Sequence, residues 1–343
     1  MGKKRAKVVI PPKMQRVLKV GAVPVAIVTG LLVVFILLEL LCRVLQVPYP
    51  SIEGPGEIPV TRFDKELGWS YIPGLAVQMQ FGPPRFVDIY IDDHGIRVPS
   101  QGYRLDPAKP SILFIGCSYT MGHALFYEEN FVGQIAAIPH MPYQIVNLGV
   151  QGYGSDQALL ALKRYLPQFN AKLVVYTFVE DHLVRNGNHD RRLVHGGNRF
   201  PGTKPLLKWN GKDLVLEKPA VPYTEYRSSR LIDLFLMRVG RMFRFFPPEP
   251  VGLTKRIIEE MKRVSESGGA HFMVIDWRWD ATDRTDELFK DLPVDVLDTL
   301  PTAPSGWAQM RNAADKHPDQ RASAYVAWLF LQYLKTHAAG WGM

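Results

Sequence analysis

The chain has 343 residues, 47% of them apolar and 22% charged, the make-up of a globular protein and enough for one large domain or two modest ones. Its net charge of +8 belongs to the tail: residues 1–19 hold Lys3, Lys4, Arg5, Lys7, Lys13, Arg16 and Lys19 and no acid, leaving the rest close to neutral. That distribution argues against a basic nucleic-acid surface on the folded part, and the two cysteines make a disulfide between them implausible and show no metal spacing.

After the basic tail, Val20 to Leu38 is an uncharged run, VGAVPVAIVTGLLVVFILL, long enough as a helix to cross a hydrocarbon core. Glu39 and Arg43 mark its far end. Positive charge before the run places the N-terminus in the cytoplasm and the body across the membrane, periplasmic or extracellular. Pro24 and Gly30 are tolerated in spans. A cleaved signal peptide wants a shorter apolar core and a small-x-small site, and Glu39 to Val47 offers none. A lipoprotein anchor at Cys42 wants a small residue before it, and Leu41 is not small. The reading is a cytoplasmic tail over 1–19 and an uncleaved transmembrane helix over 20–42.

Residues 43–62, with the Pro- and Gly-rich stretch VPYPSIEGPGEIP, read as a tether. Structured sequence begins at Phe63. Phe86 to Ile91 alternates as a strand, closed by the turn Asp92-Asp93-His94-Gly95. Residues 63–110 thus form a small β lead-in covering an edge of the main domain, which occupies 111–343.

From Ser111 the pattern becomes strand, helix, strand, helix. The apolar run Ile112 to Ile115 stops at Gly116, and Cys117, Ser118, Tyr119 and Thr120 follow. Tyr143 to Asn147 is a short strand. Ala158 to Leu166 is a helix that Ser155 or Asp156 caps. Leu173 to Phe178 is a buried strand. Such alternation predicts a parallel sheet with helices on both faces. It breaks over 183–250: a polar loop from Arg185 to Gly202, a hairpin at Asn210-Gly211, and an amphipathic helix from Ser229 to Phe246. This insertion is either a lid over the carboxyl edge of the sheet or a packing subdomain. Alternation resumes with the helix Thr254 to Ser267, the strand His271 to Asp276, a last short strand Val294 to Leu297 and the helix Arg321 to Thr336.

A central parallel strand delivers the side chain after it to the ligand-binding edge of the sheet. Ser118 stands there as a candidate nucleophile; the bland alternative is a capping serine in a turn. Its base would be His317, in the loop ahead of the last helix, oriented by the nearest carboxylate, Asp315. Gly152, in the glycine-rich turn after the second strand, and Ser118 itself offer N–H groups to a developing oxyanion. After the third strand, Glu180, His182 and Arg185 are candidates for substrate contact, or form a solvated helix start.

With Ser118, Gly152 and His317 in this order, and Leu67-Gly68-Trp69 and Gly95-Ile96-Arg97 ahead of them, the chain from about Phe63 onward resembles the SGNH (GDSL-type) hydrolases, specifically membrane-anchored bacterial members. The resemblance implies an α/β fold, a three-layer α/β/α sandwich with a five-stranded, flavodoxin-like parallel sheet. It implies ester hydrolysis or acyl transfer on lipids or glycans, without metal or cofactor. On it, Ser118 is the nucleophile, Gly152 the oxyanion glycine, His317 the base and Asp315 the third triad member. The chain departs from the pattern in three places. Gly-Cys-Ser replaces Gly-Asp-Ser, losing the carboxylate that supports the loop. Glu180-Asp181 stands where an asparagine would complete the oxyanion hole; a carboxylate donates only when protonated, a loss worth about 10²–10³ in rate. The last block reads Asp-x-His instead of Asp-x-x-His. The expectation is a single-span esterase or O-acyltransferase acting on an acylated envelope glycan or lipid. The alternative is a catalytically weak or inactive domain that binds glycan and scaffolds an envelope complex.

Overall fold

The computed structural model describes residues 12–45, 47, 60–80, 85–193, 200–226, 229–243, 251–283, 285–313 and 316–342. Helix α1 (Pro12–Val44) continues past the end of the uncharged run. Within it, Ala22–Val44 has a mean hydropathy of 2.8 and turns apolar side chains outward on every side, among them Val25, Leu31 and Leu37. A helix apolar all round and not covered by protein is a candidate membrane span.

The lead-in consists of a hairpin, β1 (Thr61–Asp64) with β2 (Gly68–Tyr71), and then β3 (Ala76–Gln80), β4 (Phe86–Ile91) and β5 (Arg97–Val98). The main domain follows with β6 (Pro110–Gly116), α2 (Ser118–Met121), α3 (Phe131–Ala136), β7 (Gln144–Gly149), α4 (Ser155–Tyr165), β8 (Asn170–Phe178) and α5 (Asp181–Asn186). Next come β9 (Leu206–Trp209), β10 (Leu214–Lys218), α6 (Tyr223–Tyr226), α7 (Arg230–Phe243) and α8 (Val251–Ser267). The chain closes with β11 (His271–Asp276), α9 (Asp286–Phe289), β12 (Asp295–Asp298) and α10 (Gln320–His337).

One eight-stranded sheet runs in the order β12-β11-β8-β6-β7-β5-β4-β3. Its first five strands are parallel. Taken in chain order they lie 2-1-3-4-5, the flavodoxin-like order, and the order reverses at β6 and β8. Helices α4 and α8 pack together on one face and α3 and α10 on the other, giving the α/β/α sandwich. The parallel strands are buried on both faces: Ile112, Leu113, Phe114 and Ile115 are wholly inaccessible. That is why they read as continuous apolar runs.

Strands β3 to β5 extend the sheet antiparallel, beyond β7, instead of only covering its edge. An uncovered β7 would leave a row of unpaired backbone groups, and the lead-in satisfies part of it. The cap of α4 also differs from expectation. Its N-cap is Gly154, and Ser155 and Asp156 lie inside the helix. The amide oxygen of Asn186, from the end of α5, accepts from Ser155 N at 2.8 Å and Asp156 N at 3.4 Å. A distant side chain thus does what the local sequence assigns to a neighbour. The stretch read as loop from Arg185 begins inside α5.

Of the insertion, the predicted hairpin forms as β9 and β10, with Asn210 Oδ1 accepting from Lys212 N and Asp213 N at 2.9 and 2.8 Å. It leans on α8, with the Arg256 guanidinium 5.0 Å from the Trp209 ring centroid. Phe200 to Pro205 takes a different course, against β2 and Gly152. Lys204 reaches through to an ion pair with Asp156, both side chains buried.

Candidate active site

Ser118 opens α2 immediately beyond β6, at the carboxyl edge of the sheet. It is 4% exposed. Gly116, at φ +152°, makes the turn between strand and helix; a Cβ there would collide with Thr120 Oγ1. The following carbonyls are held from three directions. Arg97 donates to the carbonyls of Met121, Gly122 and Leu125, the last two at 2.9 and 2.6 Å. Asn130 Nδ2 and Asn147 Nδ2 donate to Thr120 O at 2.9 and 3.0 Å. With Cys117 where the resemblance has an aspartate, these three side chains support the loop. Cys117 itself is wholly buried.

His317 Nε2 lies 2.9 Å from Ser118 Oγ across 199 positions of sequence. Its loop is a tight return: Asn312 N donates to His317 O at 2.7 Å, Lys316 N to Asn312 O at 3.0 Å, and Asp319 N to Met310 O at 3.0 Å. Lys316 takes a left-handed conformation, φ +65°, which turns the chain so that the next side chain faces the serine. Asp319 accepts from Arg321 N and Ala322 N and so starts α10. Asp315 lies outside the described residues.

The His317 ring packs between Tyr119, at 5.7 Å, and His123, at 4.2 Å. His123 Nδ1 is 2.7 Å from Gln151 Nε2. An amide nitrogen only donates, so Nδ1 accepts and the neutral ring carries its proton on Nε2. The sequence reading passed over His123. Its signal was faint, a histidine five positions after the nucleophile in a turn without periodicity.

Gly152 sits in the turn after β7 at φ +75°, where a Cβ would run into the Phe200 ring. Among the described residues nothing accepts a hydrogen bond from the N–H of Gly152 or of Ser118. The lead-in holds this turn. Trp69 Nε1 donates to Gln151 O at 2.9 Å, Tyr153 OH donates to Trp69 O at 2.6 Å, and Phe200 stacks on Trp69 at 4.0 Å. The Gly-Trp and Gly-x-Arg pieces of the lead-in therefore brace the two loops around Ser118 from behind.

The residues after β8 behave differently from expectation. His182 is fully buried, 2.7 Å by Nδ1 from Tyr176 OH, and burial holds its pKa well below the ordinary value, with Arg185 adding to the effect. It is a neutral residue of the core. Arg185 is 7% exposed and donates to Tyr153 O at 2.9 Å and to Asp181 at 3.0 Å, so it ties the turn bearing Gly152 to α5. Both sit on the inner side of α5, a direction that a local reading of polar residues does not reveal. Glu180, just before α5, is half-buried. No group of three or more metal-ligating side chains occurs among the described residues.

The 2-1-3-4-5 parallel sheet thus carries a serine at the tip of its first strand, with a histidine from ahead of the last helix in hydrogen-bond reach. The chain is similar to several solved structures. A lipolytic G-D-S-L family protein from Veillonella parvula is 12% identical, covering 65% of this chain and 96% of its own, with a TM-score of 0.37. TesA is 12% identical over 66% and 98%, TM-score 0.41. The esterase EstA from a Pseudoalteromonas species is 12% identical over 68% and 100%, TM-score 0.40. No protein-family model matches the sequence, and neither does any curated protein.

Proposed function

We propose that this protein is a serine esterase or O-acyltransferase, held in the inner membrane by α1 with its α/β/α domain on the periplasmic or outer side, acting on acyl esters of envelope glycan or lipid. One observation carries the chemistry: the 2.9 Å approach of His317 Nε2 to Ser118 Oγ. A serine hydroxyl is a weak nucleophile until a base takes its proton, and this distance suits that transfer. Nε2 removes the proton as Oγ attacks the ester carbonyl. The carbonyl oxygen, now negative, faces the N–H groups of Ser118 and Gly152. His317 then protonates the departing alcohol, leaving an acyl-serine. Water, or a hydroxyl of an acceptor, then gives its proton to the same nitrogen as its oxygen bonds the acyl carbon, and that proton passes to Ser118 Oγ as the acyl–serine bond breaks. Asp315 is the proposed partner of the imidazolium.

A second reading, a glycan-binding scaffold with little or no catalysis, draws on Glu180 and Asp181 in place of an amide donor. The full chain in detergent, assayed with a short-chain p-nitrophenyl ester, separates the two. Hydrolysis that drops about 10³-fold or more in Ser118→Ala, with unchanged thermal stability, is the expected result. Equal background in both proteins, together with no label on Ser118 from a serine-directed phosphonate, would leave the scaffold reading standing.

A further inference from the structure

Helix α7 carries an apolar stripe that the domain does not cover. Ile232, Phe235 and Leu236 are 46%, 63% and 36% exposed, and half-buried Val239 continues the row at helical spacing. A flank of the helix is pinned to the domain: Asp233 is wholly buried and lies 3.4 Å from Arg192, which pairs with Asp190 at 2.7 Å. The stripe therefore faces outward by construction.

What lies on it is indicated by the start of the helix. Its first N–H groups are satisfied by Glu39, from the end of the apolar run of α1. Arg230 N and Leu231 N donate to the Glu39 carboxylate at 3.1 and 2.9 Å, and Ser229 Oγ donates at 2.9 Å. A carboxylate capping a helix start offsets the positive end of its dipole and fixes the entry of the helix. Here the cap comes from the residue that ends the span, so α7 begins at the level where α1 leaves the bilayer. Helix α7 packs against α1, on which Leu40, Leu41 and Val44 also turn outward near the cap. The charge agrees. Arg230 and Arg238 belong to a helix whose single acid, Asp233, is buried. Apolar residues beside arginines suit the boundary between acyl chains and anionic headgroups.

We infer that α7 is a membrane-surface helix, lying in the outer headgroup layer of the bilayer that α1 crosses, with Ile232, Phe235, Leu236 and Val239 against the acyl chains. The inference rests on α1 being the anchor. It makes the insertion a second membrane contact, which fixes how the domain is turned over the surface.

The test uses the full chain reconstituted in vesicles of phosphatidylcholine and phosphatidylglycerol, with an NBD label on a cysteine introduced at one of three positions. These are Phe235→Cys in α7, Val33→Cys in α1, and Leu216→Cys in β10, which is 56% exposed. Native Cys42 and Cys117 are buried, and the unsubstituted chain provides the labelling blank. Surface helices bury their apolar face about 5–10 Å deep, so lipids with a nitroxide near the headgroup should quench the Phe235→Cys label about twofold, and lipids with a deep nitroxide less. The Val33→Cys label should respond most to the deep quencher, and Leu216→Cys to neither. If Val33→Cys is quenched and Phe235→Cys behaves like Leu216→Cys, α7 does not touch lipid and this inference falls while the anchor stands. Self-quenching of the Phe235→Cys label that vanishes on dilution with unlabelled protein, without lipid quenching, would assign the stripe to a second copy and overturn it. If Val33→Cys is not quenched, the anchor itself fails and the inference falls with it.

Discussion

His123 places a second imidazole against the proposed base, 4.2 Å away, and is itself held by Gln151, whose backbone is in turn held by Trp69. Its backbone N–H donates to Ser118 O at 3.0 Å, while its ring lies against that of His317. Its physical contribution is to limit the rotamers of His317, and a neutral ring does this without the repulsion that a second imidazolium would bring. His123→Ala is expected to lower kcat for a p-nitrophenyl ester about tenfold with little change in KM, because orientation of a general base contributes to the transition state more than to ground-state binding. His123→Phe, which keeps the ring contact and loses the bond to Gln151, should retain more of the activity. Equal loss in both variants would mean that the nitrogen atoms, not the ring, carry the effect.

Among the elements, β5 is only two residues long, yet its Arg97 joins the lead-in to the loop after Ser118. The guanidinium is 1% exposed and bonds three carbonyls; burial lowers its pKa to about 10, which leaves it charged at neutral pH. Arg97→Met fills similar space but strands those carbonyls in the interior. The expected cost is on the order of 3 kcal/mol of stability, read from urea unfolding in detergent. Activity should fall with it, since α2 carries Ser118. A variant as stable and as active as the wild type would show that the loop is supported elsewhere. The Gly95-Ile96-Arg97 piece was visible in the sequence as part of a resemblance. Its physical purpose was not, because the three carbonyls that it serves lie 24 to 28 positions away.

For the molecule as a whole, the pH dependence of stability has one strong contributor in Asp276, at the end of β11. Burial pushes its carboxyl up from 3.8 to about 7; the bond from Thr285 Oγ1 at 2.6 Å opposes this, and the Asp298 carboxylate adds to it. Between those two values the folded chain binds a proton that the unfolded chain has released. Stability is therefore greatest on the acidic side of this window and falls as pH rises through it. Asp276→Asn removes the term. The wild type should lose on the order of a few kcal/mol more than the variant between about pH 4.5 and pH 8, followed by thermal melts in one detergent. Parallel pH curves for the two proteins would exclude the assignment.

The sequence alone settled what depends on neighbours along the chain. Continuous apolar runs ending at glycine identify buried parallel strands, and β6, β8 and β11 lie where those runs lie. An uncharged run after a basic tail identifies an exposed apolar helix, and Asn210-Gly211 identifies a hairpin. Tertiary structure decided what depends on partners far away in the chain. The lead-in became part of the sheet because β7 had unpaired backbone to satisfy. Asn186 took the capping task from Ser155 and Asp156. His182 and Arg185 turned inward, against Tyr176 and Tyr153. The reason is physical: apolar periodicity is a property of one segment, whereas the direction of a polar side chain is set by whichever donor or acceptor the fold brings to it.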